Sequence, residues 1–100
     1  MKKKQYNIRV KVWIYGGDVS WHFVSLSKVD SSQIKKDYYT LRKGWGSFPI
    51  KASIGKTSWN TSIFPHSEYG TYILPLKKEI RKKEDIYADD YVNISFEILV

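Results

Sequence analysis

The stretch GWGSFPIKASIGKTSWNTSIFP, residues 44–65, packs two tryptophans, three glycines and two prolines among serines and threonines. Its reading hinges on Gly55–Lys56. Glycine at the first central position of a two-residue turn accepts the positive φ that a type II′ hairpin requires, so FPIKASI and TSWNTSIF are expected to be two paired strands. That register sets Ile54 against Thr57, Ala52 against Trp59, Ile50 against Thr61 and Phe48 against Ile63. Cross-strand partners share a face, so these eight side chains point one way. The smallest of them, Ala52, stands opposite the largest, Trp59, which is how a packed core accommodates an indole. The opposite face then holds Ser47, Lys51, Ser53, Ser58, Asn60 and Ser62, a set of hydroxyls, an amide and one ammonium.

GKTS superficially matches the end of a phosphate-binding loop. The glycine that motif needs five residues upstream is absent, because position 50 is isoleucine, and a strand rather than a helix is expected after Lys56. The segment is a hairpin and not a nucleotide cradle.

Outward from it, the same period-two pattern recurs. In NIRVKVWIY, residues 7–15, Ile8, Val10, Val12 and Ile14 alternate with Asn7, Arg9, Lys11, Trp13 and Tyr15, which predicts a half-buried strand. Gly16, Gly17 and Asp18 form a turn into a second strand, SWHFVSL at 20–26. VDSSQIKKDYY predicts a short helix capped by Asp30 or Ser31, with Ile34 on its apolar side. TYIL is a fifth strand. Pro75 is expected at the first helical position, and Leu76 and Ile80 define the buried side of PLKKEIRKKEDI, with Lys77, Lys78, Arg81 and Lys82 outward. YVNISFEIL closes as a strand with Val92, Ile94, Phe96 and Ile98 on one face. Strands and helix over 7–54 are echoed over 57–98, with Ile34 and Ile80 in matching places, which suggests a duplicated unit closing one barrel. The expected architecture is a mostly β single domain over residues 1–100, with about seven to eight strands and two short helices.

One hundred residues suffice for one core. Apolar residues at 42% and charged residues at 27% place the chain among soluble globular proteins. Without cysteine, no disulfide framework or thiolate metal site exists. The basic start MKKKQYNIRV lacks the apolar stretch of a signal peptide, and no run reaches membrane-spanning length, so a cytoplasmic location is expected. The formal charge of +7 is unevenly placed: residues 1–50 hold ten basic and three acidic groups, residues 51–100 seven and seven. Such an excess attracts polyanions.

No acid, base and nucleophile set assembles from these residues. His22 lies between Trp21 and Phe23 in a strand and reads as a satisfied structural imidazole, while His66, after Phe64–Pro65, reads as solvent exposed. Two lone histidines make a poor zinc site, and no cofactor is implied. Asp85, Asp89 and Asp90 are expected to pair with the lysines of the neighbouring helix.

The motifs WHFVSL at 21–26, GWGSFPIKASIGKTSWNTSIFP at 44–65 and YILPLKKEIRKKEDI at 72–86 resemble a bacterial and archaeal family of domains of unknown function, of the YdeI/OmpD-associated type. The resemblance covers Val12 to Ile98. It implies a double-split β-barrel with pseudo-duplicated halves, related in shape to the AbrB and MazE DNA-binding domains. The segment YILPLKKEIRKKEDIYADDYVNI is similar to the AbrB pattern of strand, LP, short helix with IR, and final strand after Gly-Asp. Here Asp89 replaces that glycine, which puts the turn in question. The family carries no activity to transfer.

Two function classes follow. One is a non-enzymatic, monomeric binding or interaction module whose basic groups, Lys2 to Lys4, Arg9, Lys11, Lys35, Lys36, Arg42 and Lys43, contact nucleic acid, another polyanion or a protein domain. The other is a small-ligand site at the barrel mouth, lined by Trp21, Trp45, Ser47, Lys51, Asn60, Ser62 and Arg81.

Overall fold

The computed structural model describes residues 4–15, 21–38, 46–66 and 70–99. The order is β1 (Gln5–Lys11), β2 (Trp13–Ile14), β3 (His22–Ser25), α1 (Lys28–Asp37), β4 (Phe48–Ile54), β5 (Thr57–His66), β6 (Thr71–Pro75), α2 (Lys78–Glu84) and β7 (Tyr91–Ile98). The strands form one antiparallel sheet in the order β1-β7-β4-β5-β6-β3-β2. Its first and last strands are consecutive in the chain, joined at Val12, so the sheet curls into a half-barrel whose two edges meet covalently. The alternation in 7–15 persists through the junction and only the partner changes: β1 pairs with β7, β2 with β3. Backbone bonds from Val12 N to Asp90 O and from Asp89 N to Val12 O, both 2.8 Å, hold that switch.

The hairpin β4–β5 has the register its sequence predicts, from Phe48 opposite Ile63 to Ile54 opposite Thr57. Gly55 has φ +56°. It also serves a second purpose, because a Cβ there would collide with the Glu84 carboxylate, whose Oε2 accepts a 2.6 Å hydrogen bond from Thr57 Oγ1. The turn is thereby tied to the end of α2. Across β1, β7, β4 and β5, Tyr6, Phe96, Ala52 and Trp59 form one inward row. Tyr6 stacks on Phe96 with centroids 4.9 Å apart, and Trp59 packs on the core over Ala52. Burial, with Tyr38 and Asp37 close by, pushes the Tyr6 phenol up to about 12.

Three local expectations change. The cap of α1 is Ser27, not Asp30 or Ser31: its Oγ accepts from Asp30 N at 3.0 Å, the first part of a Ser-x-x-acid box. Ser31 is instead buried inside the helix, and its Oγ accepts from Tyr72 N at 3.0 Å. Pro75 ends β6 rather than starting a helix, because Leu76 N still donates to His22 O, so the chain stays paired and α2 begins at Lys78. The three aspartates do not pair with the helix lysines. Asp89 lies 3.8 Å from Lys11, Asp90 Oδ2 accepts from Tyr87 N at 2.9 Å, and Asp85 engages the Tyr87 hydroxyl. The turn in question forms without glycine, since Asp89 itself takes φ +71°, a region aspartate tolerates better than most residues. The turn at Gly16–Asp18 lies outside the described residues.

Candidate functional site

The outer face of the sheet changes character at β5. Over β2, β3, β6 and the end of β5, aligned residues put Trp13, Phe23 and Pro75 in one row and Ser25, Ile73 and Phe64 in the next. Tyr15 N donates to Trp21 O, extending the ladder by another row. The rings touch one another: Trp13 to Phe23 at 5.2 Å, Tyr15 to Phe23 at 6.1 Å edge-on, and Trp21 stacked on Phe23 at 6.1 Å. Trp13 Nε1 is fixed by a 2.9 Å hydrogen bond to Ser25 Oγ. His66 is half-buried against Trp13, 5.8 Å between centroids, not free in a loop. Yet Tyr15 remains 53% exposed, Trp21 55% and Phe64 40%. A contiguous shelf of rings left in water costs solvation free energy and marks an interaction surface more often than chance exposure does.

Beside the shelf two concavities meet. One, of about 280 Å³, runs from Trp21 over Pro75 to Lys77 and Lys78. The other, of about 330 Å³, lies under α2 and includes His22, Lys78, Arg81, Lys82, Asp85 and Tyr87. His22 and Lys78 belong to both. His22 is 8% exposed, and its Nδ1 has no hydrogen-bond partner among the described residues. Burial, with Arg81 as charged neighbour, lowers its pKa, so the imidazole is neutral at pH 7. Arg81 is half-buried, and its Nε donates to Leu76 O at 3.1 Å, which aims the guanidinium along the cleft wall. Ile80 and Ile86 anchor α2 in the core. The helix ends as Asp85 takes φ +56° and Ile86 N reaches back to Arg81 O.

With this geometry in hand, the chain can be set beside known proteins. The family model described as "Domain of unknown function (DUF1905)" matches residues 9–96. The chain belongs to the DUF1905 family. No curated protein matches it.

In this DUF1905 domain the residues singled out from sequence fall into two groups. Arg81 lines the His22 cleft, and Trp21 lines the concavity that shares His22 and Lys78 with it. Lys51 and Asn60 face each other on the solvent side of β4–β5, with Glu97 across from Lys51 on β7, and neither lines the concavities at His22. Ser47 and Ser62 are half-buried on that same hairpin. Trp45 lies outside the described residues. Sequence reading missed Trp13, Tyr15, Phe23 and Phe64 as a surface group. The polar side of the alternation in 7–15 already contained Trp13 and Tyr15, and two aromatics where lysines were expected were the available signal. His22 differs from its expected role as well, because it is buried but its Nδ1 has no partner among the described residues. Among the described residues no three His, Cys, Asp or Glu side chains gather as a metal site, and no helix is long and apolar enough to cross a membrane.

Proposed function

We propose that this domain binds single-stranded nucleic acid, with bases stacking on the Trp13–Phe23–Trp21 shelf and the backbone following the lysines of α2. The observation that carries the reading is that exposed Trp21, stacked on Phe23 at the end of the shelf, lines one concavity with Lys77 and Lys78. Stacking platforms flanked by cations bind single strands because every base has a π-face and every phosphate a charge. The formal charge of +7 supplies long-range attraction. The reading is of a binding module, not an enzyme. In its favour, the charged neighbour that perturbs buried His22 is Arg81 and not a carboxylate, so the imidazole has no partner to make it a strong base.

A pseudo-duplicated, double-split barrel of the AbrB-like kind is the architecture we infer for it. Exchanging β1 and β2 with β5, β3 with β6, and β4 with β7 leaves the strand order unchanged. At the centre the bonds are reciprocal, Leu26 N to Tyr72 O and Leu76 N to His22 O, each 2.9 Å. HFVSLSK at 22–28 thus corresponds to YILPLKK at 72–78, with Val24 and Leu74, Leu26 and Leu76 buried alike, and both helices begin where those segments end. Ile34 and Ile80 do not correspond under this pairing.

Tryptophan fluorescence titrated with oligothymidylate over a salt series tests the function. Quenching that weakens as salt rises, and that Trp21→Ala reduces about tenfold, is expected. Unchanged fluorescence at low salt would end the proposal.

A further inference from the structure

The pseudo-symmetry makes the His22 cleft an anomaly. In the first half, position 31 of α1 is a small buried serine whose Oγ accepts from Tyr72 N, docking helix directly onto strand. The corresponding position in α2 is Arg81, and the strand residue corresponding to Tyr72 is His22. The helix and strand there do not lock together. Between them lies a half-open cleft of about 330 Å³, a volume at the lower end of small-ligand sites, which run about 300–1,000 Å³.

The groups facing this space are Arg81, Lys78 and Lys82 on α2, His22 on β3, and Asp85 and Tyr87 beyond the helix. The one carboxylate among them, Asp85, lies close enough to the Tyr87 hydroxyl to raise its pKa. Three cations therefore face a single anion, and among the described residues the only ion pair lies elsewhere, between Lys11 and Asp89. His22 Nδ1 is one of five buried side-chain polar atoms without a hydrogen-bond partner among the described residues, and of the five it alone belongs to a residue lining this cationic cleft, where a bound acceptor would satisfy its ring N–H. Arg81 adds a planar fork of donors, the geometry that suits tetrahedral oxyanions.

We infer that the cleft between β3 and α2 is a phosphate-binding subsite in which Arg81, assisted by Lys78 and Lys82, grips the phosphate oxygens and a ring N–H of His22 donates to one of them. Because the cleft shares His22 and Lys78 with the concavity beside Trp21, a phosphate seated here places an attached base or sugar toward the aromatic shelf. In that respect the inference rests on the single-strand reading above; the anion site itself does not. The phosphate is either a backbone diester of a bound strand or the monoester of a terminal or free phosphate. The recognising chemistry is common to both.

The test follows the His22 ring resonances by NMR in the whole chain, with His66 as an internal control, during titration with sodium phosphate against sodium chloride at matched ionic strength. A saturable shift of His22 with phosphate only, weakened at least tenfold by Arg81→Gln and partly restored by Arg81→Lys, is expected. Lys82→Gln, which leaves the Arg81 anchor to Leu76 untouched, should weaken it less, and its backbone spectrum reports that the fold is intact. Oligothymidylate with and without a 5′-phosphate separates the sources. If both move His22, the subsite holds a diester; if only the phosphorylated one does, it holds a monoester. A His22 shift that follows chloride equally, or that survives Arg81→Gln undiminished, overturns the subsite. Tryptophan quenching with a silent His22 would sink the cleft and leave the shelf standing, whereas a phosphate response without quenching would do the reverse.

Discussion

Two halves of one curled sheet present different solvent faces. On β1, β7, β4 and β5 the outward residues other than Tyr91 are mostly polar or charged, and some satisfy one another: Ser95 Oγ donates to Asn7 Oδ1 at 2.7 Å, and Ser53 and Ser58 share a 2.7 Å hydrogen bond. Lys51 lies in register between Asn60 and Glu97. On β2, β3, β6 and the end of β5 the outward residues are rings, with tryptophan and tyrosine more than half exposed. The first half turns Tyr6, Phe96 and Trp59 inward, and its one strongly exposed ring among the described residues, Tyr91, lies under the Arg9 guanidinium. The contrast separates what holds the domain together from what it offers to a partner.

Substitutions can break or sharpen that separation. The largest effect is expected from Phe96→Ala, which empties the fully buried row between Tyr6 and Ala52. It should cost about 3–5 kcal/mol in denaturant unfolding, and a loss under 1 kcal/mol would deny that this half is the stabilising one. Trp21→Ala should do the opposite, lowering single-strand affinity by roughly 1–3 kcal/mol while thermal unfolding barely moves. Gly55→Ala is next. Positive φ and the Glu84 carboxylate both oppose a Cβ there, so a destabilisation of about 1–2 kcal/mol is expected, and wild-type stability would show that the turn relaxes freely.

Smaller still is a pH effect confined to the ligand-facing half. The folded-state pKa of His22 lies below the ordinary 6.5, so on acidification the unfolded chain takes up that proton first. Stability is therefore full above about pH 6.5 and declines below it. Unfolding free energies at pH 7.5 and pH 5.5 should differ less in His22→Gln than in the native chain; equal slopes would remove His22 as the cause. The smallest change belongs to Lys51→Ala and Asn60→Ala, within about 0.5 kcal/mol in stability and without effect on oligonucleotide binding. A clear binding defect in either would move the interface to the polar face.

The sequence carried the β4–β5 hairpin down to its register, because one glycine fixed the turn and alternation fixed the faces. It also carried the inward faces of β1 and β7. Helix boundaries were less legible. Ser27 caps α1 by accepting from Asp30 N, which reads as the cap only once Ser31 is known to be buried against Tyr72, and Pro75 resembles a helix start until Leu76 is seen still paired to His22. Of the candidate site, Trp21 and Arg81 were named from sequence as ligand-facing, but in the company of Lys51 and Asn60, which lie away from the two concavities at His22.

What local chemistry determines in this chain is which side of each strand is wet, since period-two alternation and turn glycines act over a few residues. What only the tertiary structure decides is which wet residues become neighbours. Trp13 and Phe23 pair with Pro75 across three strands, and His22 meets Arg81 because β3 and β6 cross reciprocally at the centre of the sheet. Those contacts join residues more than fifty positions apart, and no local rule reaches so far. Gly55 shows both kinds of constraint at one residue: its φ belongs to the turn, and its missing Cβ belongs to Glu84.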